Sequence, residues 1–348
     1  MKRILLACLL LAACASDPAP RTQAPSAPAS PSPSAAPSPS ATADAEGLLV
    51  AVVRDSGGLE LHRVDRTTRA ATLERVLAPP QEGAVALDAT LGAMSLCAAW
   101  HVGSAPVGEE PDTRVVCYPQ GSPQGRVVAG PTLPVHVALS SDGTRLAWAE
   151  STSGGNQVVG LGRLADGALS GARRFLANAD RPPEAFNGTA VQDLAWADDG
   201  EVVISTAVES DDGPNLLRVD VTAAGTRGWL DDGRAVQTRT PGYLTYDSVL
   251  SVHGGVALAV ERGSFLDEPE VPSRAVRVDL ADGAVLEVLA TAAEGRAVVG
   301  VSGGPEAAVY VTAGNDRVLK PYLRLRGQAR GEVITGLPSD ARQVLTRG

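Results

Sequence analysis

Two segments of the chain share a hairpin pattern that decides the fold. The first reads Val137-Ala-Leu-Ser-Ser-Asp-Gly-Thr-Arg-Leu-Ala-Trp-Ala149, and the second reads Leu194-Ala-Trp-Ala-Asp-Asp-Gly-Glu-Val-Val-Ile-Ser205. When the two are aligned, Asp142-Gly143 coincides with Asp199-Gly200. Because Asp-Gly between two alternating apolar runs is typical of a tight turn between antiparallel strands, each segment predicts a β-hairpin.

A second pattern, the tripeptide Arg-Val-Asp, is repeated elsewhere in the chain. Three tripeptides each close an alternating run: Arg63-Val64-Asp65, Arg218-Val219-Asp220 and Arg277-Val278-Asp279. Each is followed within a few residues by another strand-like run, so one unit contains four antiparallel strands. Short strands repeated at a period of about fifty residues are typical of a β-propeller.

The spacing of the units predicts an all-β, six-bladed β-propeller with four-stranded antiparallel blades. The second strand of each unit is expected near residues 48–53, 95–101, 144–150, 201–206, 255–261 and 307–312. Intervals of about fifty residues are too long for seven blades. The first unit lacks an innermost strand, and residues 342–346 could supply it, which closes the ring and removes an exposed sheet edge.

The repeats resemble those of a known family, the six-bladed TolB-like propellers and the related bacterial propeller lipoproteins. The resemblance rests on residues 141–147, on Asp198-Asp199-Gly200 and on the three Arg-Val-Asp strands, and it covers residues 46–348. It implies a domain that binds protein partners, although the same architecture serves unrelated roles. Three units depart from the Asp-Gly pattern: they carry Leu91-Gly92, His253-Gly254-Gly255 and Ser302-Gly303-Gly304 instead.

The N-terminus has the features of an export signal. Lys2 and Arg3 precede an apolar run that is too short to span a bilayer, and the run ends in Leu11-Ala12-Ala13-Cys14. This tetrapeptide resembles the bacterial lipobox, which implies that residues 1–13 are a signal peptide and that Cys14 carries a diacylglyceryl thioether and often an N-acyl chain such as palmitate. An ordinary secretory signal is the alternative. We therefore expect an exported protein, lipid-anchored to the outer face of the bacterial cell membrane, or to the outer membrane if the cell has one.

Residues 14–45 are predicted to be a disordered tether between the lipid and the propeller at 46–348. Residues 18–40 contain eight Pro, six Ser and six Ala, a composition that cannot bury a core and favours extended polyproline II structure. Loss of the signal peptide removes two basic residues and no acidic one, so the formal charge moves from −10 to −12. This acidic balance argues against nucleic acid as a partner, because phosphate binding needs clustered Lys and Arg.

Two cysteines lie in the propeller, Cys97 and Cys117. They fall on the second and third strands of blade two, which should be antiparallel neighbours within disulfide reach. In an exported protein this predicts a disulfide. Two buried free thiols are the alternative.

The long segments between strands are expected on one face of the ring, where loops held by a rigid scaffold often carry function. They are rich in acidic residues: Glu109, Glu110, Asp112, Asp211, Asp212, Asp231, Asp232, Asp267, Glu268 and Glu270. This pattern predicts a binding face that would attract cations or a basic protein partner. The alternative is that these are the solvated loops of an acidic protein.

Catalytic signals are poor. Residues 300–304 formally match the Gly-x-Ser-x-Gly nucleophile elbow, but a strand rather than a helix is predicted after them, and no His follows. The four histidines are far apart and lack ligand spacing: His62, His101, His136 and His253. We therefore expect a monomeric, non-catalytic binding or scaffold module without a metal, a cofactor or a nucleic-acid partner. The alternatives are a lactonase-like or metal-dependent enzyme that uses carboxylates or His in the central channel, and a passive envelope component.

Overall fold

A computed structural model describes the chain over ten ranges. They are residues 47–93, 95–103, 112–150, 157–178, 189–197, 200–208, 216–220, 228–236, 243–263 and 271–347. Within these ranges the chain forms six four-stranded antiparallel sheets, the blades of a propeller. The predicted lipidation site Cys14, the predicted signal peptide and the predicted tether lie outside the described residues.

The strands are numbered in chain order. Blade 1 contains β1 (Leu48–Arg54), β2 (Leu59–Val64), β3 (Ala71–Leu77) and, from the far end of the chain, β24 (Ala341–Thr346). Blade 2 contains β4 (Val85–Leu91), β5 (Ser95–His101), β6 (Thr113–Pro119) and β7 (Arg126–Val128). Blade 3 contains β8 (Pro134–Leu139), β9 (Arg145–Glu150), β10 (Val158–Ala165) and β11 (Ala168–Leu176).

The second half of the ring repeats this order. Blade 4 contains β12 (Thr189–Trp196), β13 (Val202–Val208), β14 (Leu216–Val219) and β15 (Arg234–Ala235), with a short helix, α1 (Trp229–Asp232), before its last strand. Blade 5 contains β16 (Tyr243–His253), β17 (Val256–Gly263), β18 (Arg274–Asp279) and β19 (Val285–Thr291). Blade 6 contains β20 (Arg296–Gly303), β21 (Ala307–Gly314), β22 (Leu319–Leu325) and β23 (Glu332–Val333).

The repeat pattern read from the sequence is confirmed. The six predicted second strands coincide with β1, β5, β9, β13, β17 and β21, and the three Arg-Val-Asp tripeptides end the third strands β2, β14 and β18. Each innermost strand contacts the innermost strand of the next blade, from β4 through β8, β12, β16 and β20 to β24 and back to β4. These six strands therefore enclose a central channel.

The ring is closed by the C-terminal strand, as predicted. β24 pairs antiparallel with β1, with Val52 opposite Val344 and Val50 opposite Thr346. The junction is reinforced next to the paired strands, where the Arg54 guanidinium contacts the Asp340 carboxylate at 2.9 Å. One blade thus joins two segments almost 300 residues apart in sequence, and β1 has no exposed edge.

The hydrophobic core lies between neighbouring blades. Trp100, which is 1% exposed, packs in a cluster that joins blades 1 and 2, and the fully buried Trp148 packs in a cluster that joins blades 2 and 3. Both tryptophans therefore pack between neighbouring blades. Gly160 on β10 makes room for this packing, because a Cβ atom there would overlap the Trp148 indole.

The predicted disulfide is present. Cys97 on β5 lies directly opposite Cys117 on β6, with 4.0 Å between their Cα atoms, and their sulfur atoms are bonded. Both residues are buried between blades 2 and 3. The bond therefore links two neighbouring strands of one blade covalently and has a structural role.

In the described part of the chain, none of the helices has the length and apolar character of a membrane span.

Candidate functional site

A bulge occurs at an equivalent place in each innermost strand. In all six, the pairing with the neighbouring strand skips one residue, and the pairing resumes at Asp88, His136, Asp193, Ser248, Gly300 and Gln343. Bulges bend a strand and re-aim its side chains, and they are common next to functional sites. We call these six residues the channel ring.

The channel ring lines one cavity. All six residues border a space of about 150 Å³, together with residues just ahead of them on their strands, such as Leu87 and Arg342. A smaller space of about 50 Å³ is lined by residues that follow the ring, including Ala138 and Ala195. Of these two spaces, only the one at the level of the bulges is lined by ionisable side chains.

Three members of the ring form a compact cluster, which we call the channel cluster: Asp88, His136 and Asp193. One ligand atom from each lies within 4.8 Å of the other two. They come from the innermost strands of three successive blades, β4, β8 and β12. The two aspartates are each only 4% exposed, whereas the imidazole of His136 is 29% exposed.

The Asp88 carboxylate is held from two sides. Its Oδ1 accepts a hydrogen bond from Gln343 Nε2 at 2.9 Å, and its Oδ2 accepts one from the backbone N–H of Val137, also at 2.9 Å. Blade 1 supplies the first donor and blade 3 the second. The carboxylate is thereby fixed in the channel wall, while each oxygen keeps a second lone pair.

The Asp193 carboxylate is held in a similar way. Its Oδ2 accepts a hydrogen bond from Ser248 Oγ at 2.9 Å, and its Oδ1 accepts one from the backbone N–H of Leu194 at 2.8 Å. Ser248 belongs to blade 5. The cluster and its hydrogen-bond partners therefore connect the innermost strands of blades 1 to 5.

Burial and mutual interaction shift the pKa values of the cluster. Burial raises the pKa of the Asp193 carboxyl well above its usual range, and the negative charge of Asp88 raises it further. Burial by itself would lower the pKa of His136, but the interaction with Asp88 and the charge of Asp193 outweigh it, so this pKa is raised. Two carboxylates this close favour a positive charge or a shared proton between them.

Arg342 lines the same cavity but is engaged elsewhere. Its guanidinium donates hydrogen bonds to the carbonyl oxygens of Ala86 and Leu87, where β4 bulges. It stabilises the irregular backbone next to Asp88, and no hydrogen bond joins it to either carboxylate among the contacts of the described residues. The cluster thus combines one imidazole with two carboxylates, a donor set suited to a divalent transition-metal ion.

Sequence reasoning missed this cluster because it treated the four histidines as scattered. His136 contacts the Asp88 carboxylate, with Nδ1 and Oδ2 3.7 Å apart, and His62 lies elsewhere, 2.9 Å from Glu60 on β2. A usable signal was present. Asp88, His136 and Asp193 are the single ionisable residues of β4, β8 and β12, about fifty residues apart, which is the repeat length itself.

The Ser302 motif is a hairpin, as the sequence indicated. Ser302 lies at the end of β20, and a tight turn leads directly into β21 instead of a helix. Its side chain is 1% exposed, and its Oγ accepts a hydrogen bond from the backbone N–H of Thr346 at 2.9 Å. It links blade 6 to the closing strand and has no access to a substrate.

Of the acidic residues of the predicted binding face, the structure describes the side chain of Asp112 alone. Asp112 is exposed and contacts the guanidinium of Arg114 at 2.6 Å. The remaining members lie outside the described residues, or, in α1, have side chains outside that description: Glu109, Glu110, Asp211, Asp212, Asp231, Asp232, Asp267, Glu268 and Glu270. The face remains a prediction.

Comparison with known proteins shows the fold. No family model matches the chain, and no curated protein matches it. Among solved structures it is similar to TolB from Acinetobacter baumannii, with a TM-score of 0.54, 12% identity, and coverage of 86% of this chain and 66% of that one. The chain therefore spans just under two thirds of that TolB.

Two further structures are similar. A TolB-type protein from Agrobacterium tumefaciens matches with a TM-score of 0.52 and 11% identity, over 85% of this chain and 91% of that one. A puromycin hydrolase variant in complex with PGG matches with a TM-score of 0.50 and 16% identity, over 83% of this chain and 45% of that one. Proteins named TolB and a hydrolase thus match the same chain, and the likeness at such low identity establishes the fold alone.

Proposed function

We propose that this protein is a lipid-anchored, non-catalytic propeller that binds a protein partner at the bacterial cell envelope. The proposal is supported by the lipobox-like residues 11–14, by the Pro/Ser/Ala tether and by the TolB-like fold. The tether would let a rigid domain reach partners at a distance from the membrane while the lipid on Cys14 keeps it there.

The small volume of the channel cavity is the observation that supports a binding function in preference to an enzymatic one. A His and two carboxylates with room for a further ligand also occur in catalytic metal sites, so the channel cluster alone would permit an enzyme. However, the space around it is about 150 Å³, below the roughly 300–1,000 Å³ of typical small-molecule sites. We therefore place recognition on the outer surface, in preference to turnover of a substrate of ordinary size in the channel.

The face that carries the blade-to-blade connections is the proposed binding surface. Adjacent strands of each blade are antiparallel, so these connections share a face with the loops between second and third strands. We assign to this surface the predicted acidic segments that follow the second strands of blades 2, 4 and 5. Asp231 and Asp232 instead lie in α1, between the third and fourth strands of blade 4. A basic partner would be attracted to it, with a rate that falls as salt rises.

A pull-down with matched variants tests this proposal. Tagged full-length protein is used as bait for detergent-solubilised envelope proteins, and a captured protein is then titrated against the purified bait. We expect saturable, salt-sensitive binding that weakens about tenfold or more when Glu109, Glu110, Asp267, Glu268 and Glu270 are changed to the corresponding amides.

The control neutralises two exposed acids on the opposite face. Asp166 and Glu306 lie in the short turns between β10 and β11 and between β20 and β21. Asp166→Asn with Glu306→Gln should leave binding unchanged. Finding no saturable partner, or an equal loss in both sets of variants, would contradict the proposed surface.

A further inference from the structure

We propose that the channel cluster of Asp88, His136 and Asp193 binds one divalent transition-metal ion, for which Zn²⁺ is the best match. The ion would connect blades 2, 3 and 4 at the centre of the ring. This goes beyond the proposed binding function, because it concerns the channel and not the outer face. We assign the ion a structural role, since the surrounding cavity of about 150 Å³ is smaller than typical small-molecule sites.

The donor chemistry selects the class of ion. An imidazole nitrogen suits Zn²⁺ and its neighbours in the first transition row, whereas Mg²⁺ and Ca²⁺ prefer sites made only of oxygen. His136 supplies the nitrogen, and Asp88 and Asp193 supply two oxygens. Three protein ligands leave room for a water molecule in a four-coordinate zinc site.

The distances fit an ion between the side chains. His136 Nδ1 and Asp88 Oδ2 are 3.7 Å apart, which is too long for a hydrogen bond. Two ligands of one tetrahedral Zn²⁺ ion lie roughly 3.3–3.5 Å apart, because each bond is about 2.0–2.2 Å long. All three donor atoms lie within 4.8 Å of one another. Small rotations of the carboxylates and the imidazole would therefore bring them to bonding distance.

The two carboxylates are already oriented by outer partners. Gln343 and the Val137 amide hold Asp88, and Ser248 and the Leu194 amide hold Asp193. Hydrogen bonds of this kind orient metal ligands and contribute strongly to affinity. The partners belong to blades 1, 3, 4 and 5, so the rigid ring itself preorganises the cluster.

An independent observation concerns Gln343. Its Oε1 is buried and has no hydrogen-bond partner among the described residues, although the amide nitrogen of the same side chain donates to Asp88. Gln343 also lines the cavity that contains the cluster. Buried polar atoms are rarely left unsatisfied, and a water molecule bound to the ion would offer this oxygen a donor.

Electrostatics also favours an ion in this place. Asp88 and Asp193 are both buried, and burial of two neighbouring carboxylates without a compensating charge is unfavourable. His136 and Arg342 also face the cavity, but Arg342 donates to backbone carbonyls. A divalent cation beside a neutral imidazole would balance the two carboxylates completely.

Calorimetric titration tests the proposal. Full-length protein in detergent is stripped with EDTA, the chelator is removed, and ZnCl₂ is titrated in. We expect one saturable site per chain and no comparable binding of MgCl₂. Asp193→Asn and His136→Gln should each lower the Zn²⁺ affinity at least tenfold, because loss of even an outer partner of a metal ligand typically costs 10–100-fold. His101→Gln, on β5 and outside the cluster, should bind as the wild type does.

Two measurements on the wild-type protein test the proposal without relying on variants, which could fail to fold. Zn²⁺ should raise the melting temperature and EDTA should lower it again, because a ligand that binds only the folded state stabilises it. Bound Co²⁺ should show the visible spectrum of nitrogen and oxygen ligands in a low-coordinate site. The proposal is overturned if wild-type protein shows no saturable Zn²⁺ binding, if Co²⁺ keeps the spectrum of its aqua ion, or if His136→Gln binds Zn²⁺ as tightly as the wild type.

Discussion

The Asp142 side chain shows why an Asp-Gly pair makes a good blade turn. Its Oδ1 accepts hydrogen bonds from Ser140 Oγ at 2.5 Å and from the backbone N–H of Thr144 at 2.9 Å. Gly143 follows with a φ of +74°, a conformation that side chains other than glycine rarely adopt. The carboxylate and the glycine therefore fix the turn between β8 and β9 from within the turn itself.

These hydrogen bonds give the turn a pH dependence. The bond from Ser140, followed by the bond from Thr144, lowers the pKa of Asp142 below its usual value near 3.8. A carboxyl whose pKa is lower in the folded state stabilises the fold above the unfolded-state pKa, and this contribution is lost as the pH falls through the folded-state value.

We therefore expect Asp142→Ala to lower the free energy of unfolding by about 0.5–1 kcal/mol at pH 7, since the side chain is exposed and solvent weakens its hydrogen bonds. The difference between variant and wild type should shrink as the pH is lowered below about 3.8. Denaturant unfolding at several pH values measures it. Glu82→Ala, in the exposed connection between β3 and β4, is the control. A difference that grows on acidification would contradict this account.

At the scale of the elements, local signals predicted most of the propeller. Asp142-Gly143 marks a turn, and the Arg-Val-Asp tripeptides mark strand ends. Because these signals are local, they predicted the second and third strands correctly. The channel ring was not predicted, because it depends on a bulge in the pairing of each innermost strand with its neighbour. Which side chains of β4 reach the level of the cluster depends on the register of its pairing with β5, and no local sequence signal determines that register.

The closing strand β24 is the element on which the ring most depends. It pairs with β1 over five residues and buries Val344 and Leu345 between blades. A chain truncated after residue 340 would leave the edge of β1 unpaired and the ring open. We expect such a protein to lose cooperative unfolding and to aggregate, as measured by circular dichroism on heating and by size-exclusion chromatography.

A shorter truncation provides the matched control. Removal of Arg347 and Gly348 leaves β24 intact, since the strand ends at Thr346. This protein should unfold as the full chain does. If truncation after residue 340 leaves the melting temperature within a degree or two of the control, the proposed role of the closing strand is wrong.

At the scale of the whole molecule, the proposed lipid anchor on Cys14 would set where the protein acts. Acyl chains on Cys14 would each contribute roughly 0.8 kcal/mol per buried CH₂ group, and stable attachment needs more than one chain. Without the thiol no lipid can be added, whereas the propeller itself would be unaffected.

We expect Cys14→Ser to release the protein into the soluble fraction or the medium, with an unchanged melting temperature. Cell fractionation with and without detergent measures this. Cys8→Ser, which falls in the predicted signal peptide, is the control and should remain membrane-bound. A Cys14→Ser protein that still needs detergent for extraction would show that the lipobox interpretation is wrong.

The sequence by itself predicted the six-bladed ring, the closing strand and the disulfide. Turns and strand alternation locate the strands over short stretches of chain, and the repeat spacing counts the blades and leaves the first blade one strand short. It also predicts the signal, the tether and the acidic face. Only the tertiary structure decided that Asp88, His136 and Asp193 lie within 4.8 Å of one another. These residues are about fifty positions apart, and ring closure together with equivalent bulges in three successive blades brings them to one point.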